Sequence, residues 1–140
     1  MYRILIVDDE KLERNGIKFL LKKTGTELEV FEASNGRDAL EFLKHQTVEI
    51  LLTDIKMPYV SGLELAEKVS SQYPEMKIVM FSGYSDFSYA QTAIRYGVSD
   101  YILKPVDPFE FQKTMKKLLE EIEREKAEEV QLIKTQDYLY

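Results

Sequence analysis

Five short apolar runs divide the chain, and each is followed by a stretch with helical spacing. The runs cover residues 3–7, 28–33, 50–53, 77–81 and 100–103. Four to six residues suit a strand, not a helix, and near-continuous apolarity suits a strand covered on both faces. Helical crossovers between such strands require parallel pairing, with helices packed on both sides of one sheet. The expected fold is therefore α/β, a doubly wound (βα)5 domain. Two strand orders meet this pattern, the flavodoxin-like 2-1-3-4-5 and a Rossmann half. Both place ligands beyond the carboxyl ends of the strands, where the strand order reverses.

The helices carry their own signals. Leu12, Gly16 and Leu20 share one face of the first, with Ile17 and Leu21 beside them, and Thr24-Gly25-Thr26 ends it. Asn35-Gly36 precedes the second, marked by Ala39, Leu40 and Leu43. Ser61-Gly62-Leu63-Glu64 fits a capping box for the third. Asp86 suits the cap of the fourth, whose expected inner face is Tyr89, Ala90, Ala93 and Ile94. Asp107-Pro108-Phe109-Glu110 opens the fifth, with Phe111, Met115, Leu118, Leu119 and Ile122 as its apolar stripe. After Ile122 the composition turns to charge, which predicts a domain over residues 1–122. Residues 123–140 read as a helical extension or linker toward a further output domain outside this chain.

Four strand ends carry acids or complementary reagents. The first run stops at Asp8-Asp9 and the third at a single carboxylate, Asp54. In the flavodoxin-like order these two strands flank the reversal point. Carboxylates gathered at one edge repel each other unless a cation joins them. An all-oxygen donor set with no His or Cys favours a hard ion, and magnesium is the physiological candidate. Acidic residues at a helix start also serve as caps, so Asp8-Asp9-Glu10 alone does not require a metal. Ser82 follows the fourth strand and Lys104 the fifth. A hydroxyl and an ammonium at the same edge suit the oxygens of a phosphoryl group.

Other classes fit poorly. The chain has no cysteine and a net charge of -6, which excludes thiolate metal sites and a basic DNA-gripping face in this segment. No run is long enough to span a membrane, no secretory leader pattern is present, and a cytoplasmic setting is expected. A nucleotide or flavin carrier would need a phosphate loop after the first strand, where Asp8-Asp9-Glu10 stands. His45, the single histidine, falls near the end of the second helix, where a cation complements the helix dipole. Tyr84, Phe87, Tyr89 and Tyr96 gather around the fourth helix, as a packing face or a partner surface. Leu119, Ile122, Lys126, Val130 and Ile133 form a broken heptad-like series, more in keeping with a solvated helix than a coiled coil.

Asp8-Asp9, Asp54 with Met57-Pro58, Ser82-Gly83 and Lys104-Pro105, in this order, resemble the receiver domain of bacterial two-component response regulators. The likeness runs from about Tyr2 to Ile122. The strings 82–87 and 97–105 further resemble YesN-like receivers, which usually precede an AraC-type DNA-binding domain. The resemblance implies a phosphorelay role. Asp54 would accept a phosphoryl group from a sensor histidine kinase. Asp9, Asp54 and the backbone carbonyl of Lys56 would bind magnesium, with Asp8 acting through a bound water. Ser82 and Lys104 would hold phosphoryl oxygens, and Tyr101 would move with Ser82. The Lys104-Pro105 bond would be cis. The surface of helix four, strand five and helix five would switch, control transcription through a DNA-binding domain outside this chain, and allow phosphorylation-dependent homodimerisation. A stand-alone receiver is the alternative. An Asp-nucleophile phosphatase is disfavoured because such enzymes carry a second aspartate where Lys56 stands, and no enzyme activity is expected.

Overall fold

The computed structural model describes residues 1–83 and 87–139. Its elements are β1 (Tyr2–Val7), α1 (Lys11–Lys22), β2 (Leu28–Ala33), α2 (Gly36–His45), β3 (Ile50–Asp54), α3 (Gly62–Gln72), β4 (Lys77–Ser82), α4 (Phe87–Arg95), β5 (Asp100–Leu103) and α5 (Pro108–Leu139). The five strands form one parallel sheet in the order β2-β1-β3-β4-β5. This is the flavodoxin-like order, and it settles the choice against a Rossmann half. The order reverses between β1 and β3, so Asp8 and Asp54 fall at neighbouring strand ends.

Alternation along the strands builds two core layers, because successive side chains point to opposite faces. Leu5, Val7, Leu51, Ile78 and Met80 face α2, α3 and α4, where Ala39, Leu43, Leu65, Ala66, Val69 and Ala93 complete one layer. Ile4, Ile6, Ile50, Leu52, Val79 and Phe81 face α1 and α5, meeting Ile17, Leu21, Phe111, Met115, Leu118 and Ile122. Both faces of β1, β3 and β4 are therefore dry. β2 lies at the edge and alternates with polar residues, and its Phe31 packs against Phe42 of α2 with ring centroids 5.0 Å apart.

Helix starts follow the capping signals. Asn35 and Ser61 accept the backbone N–H groups of Asp38 and Glu64. Asp107 accepts those of Phe109 and Glu110. The suggested Asp86 cap lies outside the described residues.

Two helix faces differ from expectation. Leu12 is 84% exposed while Ile17 and Leu21 are buried. Leu12 and Leu21 are nine residues apart, about 180° around a helix, so they cannot share a face. The inward stripe is Arg14, Ile17 and Leu21, and its first member is a charged residue that an apolar pattern passes over. In α4, Ile94 projects outward and is 71% exposed, while Ala93 is buried. Tyr89 and Tyr96 sit at i−4 and i+3 from Ala93 and pack with it against the core.

α5 is 32 residues long and continues well past the sheet. Ile122 is its last buried residue, and every described side chain after it is exposed. Lys77 at the start of β4 grips the departing helix, 2.6 Å from Glu125 and 3.9 Å from Glu121. Tyr2 at the start of β1 bonds Glu123. No helix among the described residues is long and apolar enough to cross a membrane.

Candidate functional site

The site is built by strands that end together. Parallel register aligns Val7 with Thr53 and Asp54 with Phe81, so β1, β3 and β4 finish at one edge. The chain leaves each strand at that edge, and the next residues are Asp8-Asp9, Ile55-Lys56 and Gly83. The amide of Ile55 donates to the Phe81 carbonyl, and the amide of Lys104 donates to the Ser82 carbonyl. These bonds extend the sheet by one step and fix the directions of Asp54 and Lys104.

Asp8, Asp9 and Asp54 each present a carboxylate oxygen, and these atoms lie within 4.8 Å of one another. Asp8 is buried, Asp54 half-buried and Asp9 exposed, so the cluster opens to solvent on one side. The Lys104 ammonium reaches in from β5. It lies 3.1 Å from Asp54 Oδ1, 3.6 Å from Asp8 Oδ2 and 3.8 Å from Glu13 Oε2. Ser82 is fully buried at the end of β4. Tyr101, paired in register with Met80, is half-buried against the α3–α4 side of the core. Lys56 is exposed just beyond β3. The Lys104-Pro105 peptide bond is cis. His45 lies at the other end of α2, away from this edge, and pairs with Glu41 on the helix surface.

The electrostatics are unbalanced toward negative charge. Asp8 is pushed up to about 6. Burial is the main cause, and the charges of Asp54 and Asp9 add to it. The Glu10 amide and Lys104 pull the other way without cancelling it. Burial alone would lower Lys104, but Asp54, Asp8 and Glu13 outweigh that and hold its ammonium above the ordinary lysine value.

These residues fit a hard cation. Asp8 Oδ1 accepts the amide of Glu10, but Oδ2 is buried with no hydrogen bond among the described residues. A buried carboxylate oxygen left so costs free energy, and a cation shared with Asp9 and Asp54 would supply the missing partner. The donors are all oxygen, as a hard ion requires. Capping does not account for the acids, because Glu10, the N-cap of α1, makes no side-chain cap bond.

Two residues at this edge carry weight that the spacing did not reveal. Arg14 donates to the Asp8 carbonyl at 2.7 Å and pairs with Glu32 of β2 at 3.0 Å. It ties the acidic turn to the sheet edge. Its place three and seven residues before Ile17 and Leu21 was the available signal. Gly62 sits against the backbone at the end of β3, where a Cβ would fall 2.0 Å from the Asp54 carbonyl oxygen. Its amide donates to the Ile55 carbonyl at 2.7 Å.

Known proteins resemble this chain in sequence and fold. A family model described as the response regulator receiver domain matches residues 4–116. The uncharacterized transcriptional regulatory protein YesN of Bacillus subtilis (strain 168) is 35% identical over 127 residues, covering 89% of this chain and 34% of YesN. The transcriptional regulatory protein HptR of Staphylococcus aureus (strain NCTC 8325) is 29% identical over 120 residues, covering 85% of this chain and 47% of HptR. The chain thus spans between about a third and a half of these relatives. Among solved structures, a two-component transcriptional regulator AraC from Clostridium phytofermentans ISDg superposes with a TM-score of 0.79 at 31% identity, covering 91% of this chain and 99% of that one. The receiver domain of AraT, a response regulator from Geobacillus stearothermophilus, gives 0.79 at 36% identity, covering 89% and 98%. With the family model matched over residues 4–116 and the same fold in both solved relatives, the chain belongs to the response regulator receiver domain family.

Proposed function

We infer that this receiver accepts a phosphoryl group on Asp54 from a phosphohistidine of a sensor histidine kinase. The observation that carries this role is the Lys104 ammonium 3.1 Å from Asp54 Oδ1, inside an acidic cluster at the strand-order reversal. A free carboxylate oxygen of Asp54 attacks phosphorus, an O–P bond forms and the N–P bond of the donor breaks. The electron pair stays on the imidazole nitrogen, which takes a proton from solvent. Lys104 offsets charge on the transferring group and holds one of its oxygens, and Ser82 donates to another. Such transfers depend on positioning and charge stabilisation.

Asp9, Asp54 and the Lys56 backbone carbonyl would hold magnesium, with Asp8 beside them. When bound, the ion neutralises negative charge at the phosphoryl oxygens. The chemistry is directed at the receiver itself, so it acts as a switch and not as an enzyme on other substrates.

A phosphoryl group at Asp54 adds charge and acceptor oxygens at the end of β3. Ser82 moves toward it, Tyr101 follows, and the surface of α4, β5 and α5 changes. The relatives' names as transcriptional regulators support an output at DNA, through a domain outside this chain and within the cytoplasm, where the kinase's phosphohistidine would be met. Dimerisation on phosphorylation follows from the same surface, and light scattering with and without beryllofluoride tests it. For the acceptor role, Asp54→Asn should take no label from acetyl phosphate in the presence of magnesium. Undiminished labelling of that variant would remove Asp54 from the role.

A further inference from the structure

We propose that Glu13 is a specificity-determining residue at this site, a displaceable counter-charge on Lys104 that makes the receiver discriminate phosphodonors by their charge. The inference rests on the acceptor role given to Asp54 above.

An ammonium has three N–H groups. Lys104 has three carboxylates within reach, Asp54 at 3.1 Å, Asp8 at 3.6 Å and Glu13 at 3.8 Å. A phosphoryl oxygen drawn to Lys104 competes with these ion-pair contacts, so the loosest of them gives way. Asp8 is buried and its backbone is tied by Arg14, and Asp54 is the acceptor. Glu13 makes the longest contact, is 45% exposed, and can swing into solvent on its own side chain. It is therefore the group that yields. It stands on the first turn of α1, within ion-pair reach of Lys104, and adds a fourth carboxylate to the three of the cluster. Its cost to an incoming donor therefore grows with the donor's own charge.

The test compares phosphorylation rates of the native chain and Glu13→Gln with two small donors. Acetyl phosphate is a dianion at neutral pH and phosphoramidate a monoanion. Removing one charge a few ångströms away in a solvated setting is worth about threefold for each unit of donor charge, so about threefold for phosphoramidate and about tenfold for acetyl phosphate. Both gains should shrink in about 0.5 M salt, where screening is strong. Glu13→Asp, which keeps the charge, should hold the donor ratio within about twofold of native. A merely structural role for Glu13 would slow both donors alike and show no salt dependence. Equal gains with both donors, a ratio indifferent to salt, or an unchanged ratio in Glu13→Gln would overturn the inference while leaving Asp54 as acceptor. A native chain that takes label from neither donor would bring down both.

Discussion

At the scale of single residues, Asp8 sets the cost of the site. Its pKa is about 6 in the fold against an ordinary 3.8, because burial and two neighbouring carboxylates disfavour its charge. The folded state therefore holds its proton more tightly than the unfolded chain does. Stability from this residue is complete below about pH 4 and is lost as pH rises through 6. Asp8→Asn should then raise stability by about 1–2 kcal/mol at pH 7, with the gain vanishing near pH 4. Urea unfolding at the two pH values measures the difference. Magnesium should act in the same sense, raising the melting temperature of the native chain at pH 7 by binding the folded form. That benefit should fade below pH 6, as Asp8 takes up its proton, and be much smaller in Asp8→Asn.

At the scale of elements, the segment between β3 and α3 is held by close backbone contact. Gly62 admits the Asp54 carbonyl at a distance that no side chain allows. Tyr59 turns the loop with φ 69, and the Arg37 guanidinium covers its ring at 4.9 Å. Gly62→Ala should push the end of β3 out of place and cost about 3 kcal/mol, read from the urea midpoint. Phosphorylation of Asp54 should slow with it. α5 poses a different question, because its second half has no core to rest on. Lys77 bridges to Glu121 and Glu125 just where the buried stripe ends. Each exposed pair contributes no more than about 1 kcal/mol, so the effect of removing it is local. Lys77→Ala should speed amide hydrogen exchange in residues 123–130 and leave the exchange of β1 and β3 unchanged.

At the scale of the whole molecule, two core layers share one sheet, and both close by Ile122. Nothing described beyond that residue is buried. Residues 1–122 should therefore fold as a unit, with a melting temperature within about 5 °C of the full chain. A cooperative transition in the shortened protein is the expected calorimetric trace. Loss of cooperativity would show that the extension belongs to the domain.

Local pattern alone determined the run of five strands and five helices, because apolar period and capping residues act within a few positions. Ser61 and Asp107 cap as their neighbours predict, Asn35 caps α2 where the pattern marks only a turn, and Asp8, Asp9, Asp54, Ser82 and Lys104 stand at strand ends on pattern alone. The choice between two strand orders needed the motif resemblance or the sheet itself, since order depends on pairing between distant segments. Faces of short helices were also decided only by packing. Leu12 and Ile94 look like core residues by type, yet they turn to solvent because the sheet meets another stripe. Arg14, Glu13 and Gly62 belong to the site only through contacts with residues far from them in sequence or folded back on them. Their types are ordinary, and among them only Arg14 carries a local spacing signal, through Ile17 and Leu21. Charge, burial and close approach depend on where the chain returns to itself, so the tertiary structure alone shows which ordinary residues surround the Asp54 carboxylate.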